Sequence, residues 1–285
     1  MLLVFTILSL ISLVFGFPTT LATFSDDMAR NKMFPLAAAA FSSTPQACLT
    51  NKFTNAQLYR QVNVNCSGQD CSGYSAVLHT EQTIVLSFRG TRGFLQLFDE
   101  ASQSVFTPLI PWIAGGKVSK YFAEAFSVIW NGGMKEDFAD LINTYPSYKI
   151  WVTGHSLGGA MASLAASYIV ANQSISGNNV QLITFGQPRT GNVEWANAHD
   201  DQLPYSFRVT HYQDMVPHVP QQGLLGYQHH KSEVWYNDPM TNYTVCADVQ
   251  ESNKCSNSLL ITASLDDHRN YFGKFVSQWG AAGCT

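Results

Sequence analysis

The residues best suited to chemistry sit in one short run, Gly154-His155-Ser156-Leu157-Gly158, between the apolar Ile150-Trp151-Val152 and a helix-length stretch dense in alanine. Glycine two residues to either side of a serine suits a strand that turns sharply into a helix. In such a turn the serine takes an unfavourable backbone conformation, and a larger neighbour would collide with the bend. The turn lifts the hydroxyl above the carboxyl edge of a sheet and aims a helix N-terminus at whatever binds there. The backbone N–H of Leu157 then becomes a candidate donor to a developing oxyanion. The competing reading is an ordinary glycine-lined serine turn closing a strand, and the pentapeptide alone does not separate the two.

A serine hydroxyl is a weak nucleophile until a base takes its proton, so a histidine oriented by a carboxylate is required. In strand–turn–helix hydrolases the chain order is serine, acid, histidine. Phe207–His211 reads as a late strand, and Asp214 follows it in a turn closed by Met215-Val216-Pro217. Asp200, Asp201, Asp238 and Asp248 lack that strand-end placement. Of 8 histidines, His79 and His211 fall in strand patterns, His155 is expected to point away from the serine, and His199 precedes the acid. His218, His229, His230 and His268 follow it, and position favours His268, in a loop entering the aromatic Tyr271-Phe272. His229-His230 could suggest a metal, but no acidic or cysteine partner lies at ligand spacing, so both are expected as surface polar residues. The chemistry needs no metal and no organic cofactor.

These side chains need a frame. Apolar bursts with β-branched residues recur at Thr83–Phe88, Ile150–Thr153, Val180–Phe185, Ser206–Thr210 and Glu233–Tyr236. Helix-length segments lie between several of them, at Ser119–Asn131, Lys135–Thr144, Leu157–Ala171 and Asn192–His199. Strands alternating with helices imply an α/β fold with a mostly parallel sheet and helices on both faces. Tyr74–Thr80 alternates and meets the next strand through Glu81-Gln82, which predicts an antiparallel hairpin at the sheet edge. Gly132-Gly133 predicts a break in what would otherwise be one long helix.

Composition bounds the rest. Charged residues are 13% of the chain, against a usual ~25%, and the formal charge is −4, so nucleic acid is not an expected partner. Leu2–Phe15 is apolar, too short to span a bilayer comfortably, and is followed by Gly16; residues 1–16 read as a secretory signal and 17–285 as one domain. An extracellular protein, acting as a monomer, is expected. Six cysteines then suggest three disulfides, spacing favouring Cys66–Cys71 and Cys246–Cys255 and leaving Cys48–Cys284. Asn65, Asn172 and Asn242 each begin a glycan-acceptor triplet.

Five ordered motifs together resemble the class 3 lipases, a family of secreted α/β-hydrolases that includes fungal-type triacylglycerol lipases and feruloyl esterases. They are Ser87-Phe88-Arg89-Gly90-Thr91, Val152–Ala160, Thr184–Asn192, Phe207–His211 with Asp214–Pro217, and Asp267-His268 before Tyr271-Phe272-Gly273. The resemblance implies the α/β-hydrolase fold, a catalytic triad of Ser156, Asp214 and His268, and an oxyanion hole built by Leu157 and Thr91. It also implies a lid within residues 91–116, where Phe94, Leu95, Leu97 and Phe98 recur at helical spacing. The tryptophan often found early in such lids is absent, and Ser119-Lys120-Tyr121-Phe122 departs from the family's version of that segment. The implied activity is hydrolysis of glyceride esters through an acyl-enzyme, with a lipid or other ester as partner. A carboxylesterase, feruloyl esterase or phospholipase on the same triad is the alternative, and a secreted non-catalytic binding protein a more distant one.

Overall fold

Runs of β-branched and aromatic residues with no proline interrupting them are best accommodated side by side in a sheet whose two faces are both covered. The computed structural model describes residues 22–66, 69–90, 106, 108–173, 175–247 and 249–285. Among these, strands β1 (Ala56–Cys66), β2 (Gln69–Leu78), β3 (Thr83–Arg89), β4 (Lys149–His155), β5 (Val180–Phe185), β6 (Ser206–His211), β7 (Glu233–Tyr236) and β8 (Tyr243–Cys246) form an 8-stranded sheet in chain order. From β3 to β7 neighbouring strands run parallel, while β1, β2 and β8 add antiparallel edges. The α/β sheet expected from the sequence is therefore present, its parallel part confined to the middle.

The pleat of these strands sorts their side chains into two cores. Ile84, Leu86, Phe88, Ile150, Val152 and Leu182 face one way, where α3 (Lys120–Ile129), α4 (Lys135–Thr144) and α5 (Leu157–Asn172) cover them. Val85, Trp151, Ile183, Phe185 and Val209 face the other, covered by α1 (Phe34–Ala39) and α2 (Pro45–Lys52). Tyr74 and Ser87 both donate to the carbonyl of Leu36, at 2.8 and 2.9 Å, so a polar pair on the sheet pins α1 without leaving buried groups unpaired. The expected break falls at Trp130–Met134, a wide π-type turn in which Gly133 takes φ 131. Helix α6 (Val193–Gln202), capped by the Asn192 side chain on the Trp195 N–H, then leads to β6.

The first two helices, β1 and β8 carry no signal in the sequence reading; β1 alternates polar with apolar residues at an edge that is half in solvent. Residues 109–111 and 117–119 form a hairpin, from whose turn Trp112 donates to Ser167 Oγ at 3.0 Å, so this end of the expected 91–116 lid packs on the body. Residues 91–105 and 107, Thr91 included, lie outside the described residues, as do residues 1–21. No helix among the described residues is long and apolar enough to cross a membrane.

All three expected disulfides are present, Cys48–Cys284, Cys66–Cys71 and Cys246–Cys255. The first joins α2 to the chain end across a separation of 236 residues, and closing so long a loop removes much of the freedom of the unfolded chain. Replacing Cys48 and Cys284 together by serine is therefore expected to lower the unfolding free energy by roughly 2–5 kcal/mol. Urea unfolding measures this, and a midpoint equal to that of the parent would show that the closure contributes nothing.

Candidate active site

Strand β4 ends at His155 and α5 begins at Leu157, leaving Ser156 alone to make the turn at φ 61 and ψ −130. A side chain rarely tolerates that region, and its cost of order 1–3 kcal/mol must be met by the surroundings. They are specific: the Ser156 N–H donates to Phe185 O at 2.9 Å, and its carbonyl accepts from Gly159 N–H at 2.8 Å. A Cβ on Gly154 would stand 2.2 Å from Gly158 O, and one on Gly158 2.1 Å from Phe88 O. The glycines flanking the serine are thus a steric requirement.

Two later segments converge on this turn. After β6 the chain places Asp214 in a tight turn, its N–H donating to His211 O at 2.8 Å. The short helix α7 (Leu265–Arg269) carries His268 and is capped by Ser264 Oγ on the Asp267 N–H at 3.0 Å. Ser264 also pairs with the Asp214 turn, donating to Gln213 O and accepting from Met215 N–H, so the turn and α7 are tied together.

The three side chains then meet. His268 Nε2 lies 2.8 Å from Ser156 Oγ, and His268 Nδ1 lies 2.9 Å from each Asp214 oxygen. A carboxylate on Nδ1 selects the tautomer with its proton there, which leaves Nε2 free to accept from the serine hydroxyl. Asp214 and His268 are fully buried and Ser156 is 9% exposed. Burial alone would push the Asp214 carboxyl up. The His268 charge and hydrogen bond, the Tyr271 hydroxyl at 2.6 Å and the Val216 N–H at 2.8 Å outweigh it and hold the carboxyl below its ordinary value. The Tyr271 hydroxyl is itself pushed well up, by burial and by Asp214, and stays a donor.

Three further residues shape the site, and the sequence reading assigned none of them a role there. Gly186, at φ 56, leaves room for the pair: a Cβ there would stand 2.8 Å from Asp214 Oδ2 and 2.9 Å from His268 Nδ1. Its place at the end of β5, ahead of Gln187-Pro188, was the available signal. Tyr271 is the second. The third is His155, which does turn away from the serine as expected but stacks on the His268 ring at 4.6 Å and donates from Nε2 to His268 O at 2.8 Å. Burial, with the neighbouring His268, lowers His155 to about 3, so it is a neutral support. Leu157 opens α5, where the first amides have no partner within the helix. Gly90 packs directly against the Leu157 side chain, a Cβ on it falling 2.4 Å from Leu157 Cβ.

His229 and His230 depart from expectation. Both are buried: His230 stacks on His199 of α6 at 3.9 Å, while His229 bonds Pro217 O and Glu251. His199, Asp200 and His230 therefore come within 4.8 Å of one another, ligand atom to ligand atom, a proximity that chain spacing hides. Their geometry is not that of a chelate. Imidazoles inclined by only 23° send their in-plane lone pairs side by side, and the two Asp200 oxygens already accept from Lys231 N–H and the Gln250 amide.

Comparison with known proteins gives four findings. The family described as Lipase (class 3) matches residues 85–224. The Caenorhabditis elegans protein named Lipase ZK262.3 is 34% identical, over 96% of this chain and 87% of that protein. A Rhizomucor miehei lipase is 36% identical over 68% of this chain, which spans 53% of that relative's length. A solved Rhizomucor miehei triacylglyceride lipase superposes with a TM-score of 0.77 at 27% identity, covering 90% of this chain and 97% of that one.

The charge on Asp214 supplies a test. Its ionisation is easier in the folded than in the unfolded chain, so the stability it contributes is present above the ordinary aspartate value of 3.8 and is lost as pH falls through the lower folded value. Tyr271→Phe deletes one donor to that charge and is expected to cost on the order of 2 kcal/mol near neutrality. The gap in melting temperature from the parent should narrow as pH falls below the ordinary aspartate value of 3.8. A gap independent of pH would refute the coupling.

Proposed function

This chain belongs to the class 3 lipase family, and on that premise we propose that it is a secreted serine hydrolase that cleaves carboxylic esters, glycerides first, through an acyl-enzyme on Ser156. The observation that carries the reading is the relay of Ser156 Oγ, His268 and Asp214 at 2.8 and 2.9 Å. An ester carbonyl above Ser156 is attacked as His268 Nε2 takes the hydroxyl proton. Asp214 keeps the imidazole in its tautomer and stabilises the imidazolium that forms. Leu157 N–H, at the positive end of α5, donates to the developing oxyanion, and Thr91 is assigned as the second donor from its motif. His268 then gives its proton to the departing alcohol, and water repeats the sequence to release the acid.

Three features support the finer reading. Leu260 and Ile261 are 103% and 65% exposed, in the segment that leads into Ser264 and α7. Adjacent apolar side chains so exposed beside a reaction centre suit a lipid surface more than a dissolved ester. The apolar Leu2–Phe15 and the three disulfides support export. A monomer, one domain over residues 17–285 and a lid within residues 91–116 complete the proposal on sequence grounds.

Two variants test this. Ser156→Ala is expected to remove ester hydrolysis and labelling by a fluorophosphonate while leaving the melting temperature close to the parent's; undiminished hydrolysis would refute the assignment. Leu260→Ser with Ile261→Ser is expected to slow hydrolysis of an emulsified long-chain triglyceride but not of a dissolved short-chain ester. Equal loss on both substrates would remove the case for a lipid surface.

A further inference from the structure

Beyond Asp214 the chain makes a helical turn, Val216–His218, and leaves through Val219-Pro220. Three carbonyls of this segment are held from outside it. His229 Nε2 donates to Pro217 O at 2.7 Å, Arg189 N–H to Val219 O at 2.9 Å, and Arg189 Nη1 to Pro220 O at 2.9 Å. Both holders are gripped by one carboxylate. Glu251 Oε1 accepts from Arg189 Nε and from His229 N–H, each at 2.7 Å, and Oε2 accepts from Arg189 Nη2 at 2.8 Å and Asn257 Nδ2 at 3.0 Å.

Arg189 and Glu251 side chains are 2% and 4% exposed, so this is a buried, bidentate pair in which either partner alone would be an uncompensated charge. Glu251 stands at φ 52, a left-handed conformation that a residue with a Cβ adopts only when its surroundings dictate it. It lies in a short loop closed by Cys246–Cys255, across a separation of 9 residues. Burial opposes the charge on Glu251, but Arg189 and the neighbouring groups outweigh it and keep the carboxyl well below its usual range.

We propose that the disulfide-closed loop Cys246–Cys255, through Glu251 and Arg189, is a positioning device for Asp214. The link is Val216, whose N–H donates at 2.8 Å to Asp214 Oδ1, an oxygen that also faces His268 Nδ1. The turn carrying that amide is fixed at its far end by the Glu251–Arg189 clamp, whose hydrogen bonds go to Pro220 O, His229 N–H and Asn257 and not to Ser156. Loosening the clamp lets the carboxylate drift from the imidazole while the substrate surface stays as it was. The proposal rests on the hydrolase reading above and extends it to residues remote from the reacting atoms.

The experiment compares Glu251→Gln, the Cys246→Ser/Cys255→Ser double variant, and Arg189→Met beside Arg189→Lys, each in the full chain. Active sites are counted by fluorophosphonate titration, so that misfolded protein does not enter the rate. Per titrated site, kcat on a dissolved ester is expected to fall between about tenfold and about a hundredfold with KM unchanged, as for a small misplacement transmitted to a catalytic group. Lysine at 189 should recover part of what methionine loses. Wild-type kcat per titrated site, with only the melting temperature lowered, would reduce the clamp to a structural strut and overturn the proposal. A parent protein that the fluorophosphonate fails to label would instead sink the hydrolase reading itself, which Ser156→Ala tests separately.

Discussion

The backbone conformation of Ser156 is the constraint on which the rest of the structure depends. A serine at φ 61 and ψ −130 is held against its own preference, and it stays there because β4 on one side and α5 on the other leave no alternative path. Strand β4 lies inside the parallel sheet between β3 and β5, and α5 is buried along most of its length, so neither can shift to relieve the turn. The conformation presents the hydroxyl above the sheet and directs the unpartnered amides of α5 into the same space. The position of the hydroxyl and the direction of those amides thus come from one local distortion.

The second element is a charge placed where charges are costly. A carboxylate with no exposed surface must be surrounded by donors, and Asp214 has His268, Tyr271 and the Val216 amide. In such surroundings electrostatic interactions are stronger than in water, so the orientation given to the imidazole is firm. Room for the arrangement depends on the missing Cβ of Gly186, and the far side of the imidazole is closed by neutral His155. The acid turn is braced in its turn by Arg189 and Glu251, a pair buried as completely as the site itself. Two buried polar networks therefore meet at the segment from Asp214 to Pro220. One is suited to proton transfer and the other to holding the first in register.

Much of the frame was legible in the chain. Strands Val180–Phe185 and Glu233–Tyr236 and helix Lys135–Thr144 fall where periodicity places them, because each is a run whose burial pattern is written locally. The break at Gly133 was likewise readable, since glycine states its own conformational freedom. Strand β1 was not. Its polar alternation is that of an edge, and only pairing with β2 makes it a strand. His229 and His230, expected at the surface, are buried for a related reason: what packs on them is a property of the fold, and nothing in a histidine pair states it.

The sequence by itself determined the local demands of the site: glycines where a bend forbids side chains, a serine between them, an acid after one strand and a histidine before an aromatic segment. These could be read because sterics and chain order act over a few residues. Only the tertiary structure decided what surrounds each group: the tyrosine on the carboxylate, the imidazole behind the imidazole, and the ion pair bracing the turn from a loop far along the chain. Such contacts join segments that have no relation in sequence, and a buried charge is satisfied by whichever groups the packing delivers to it.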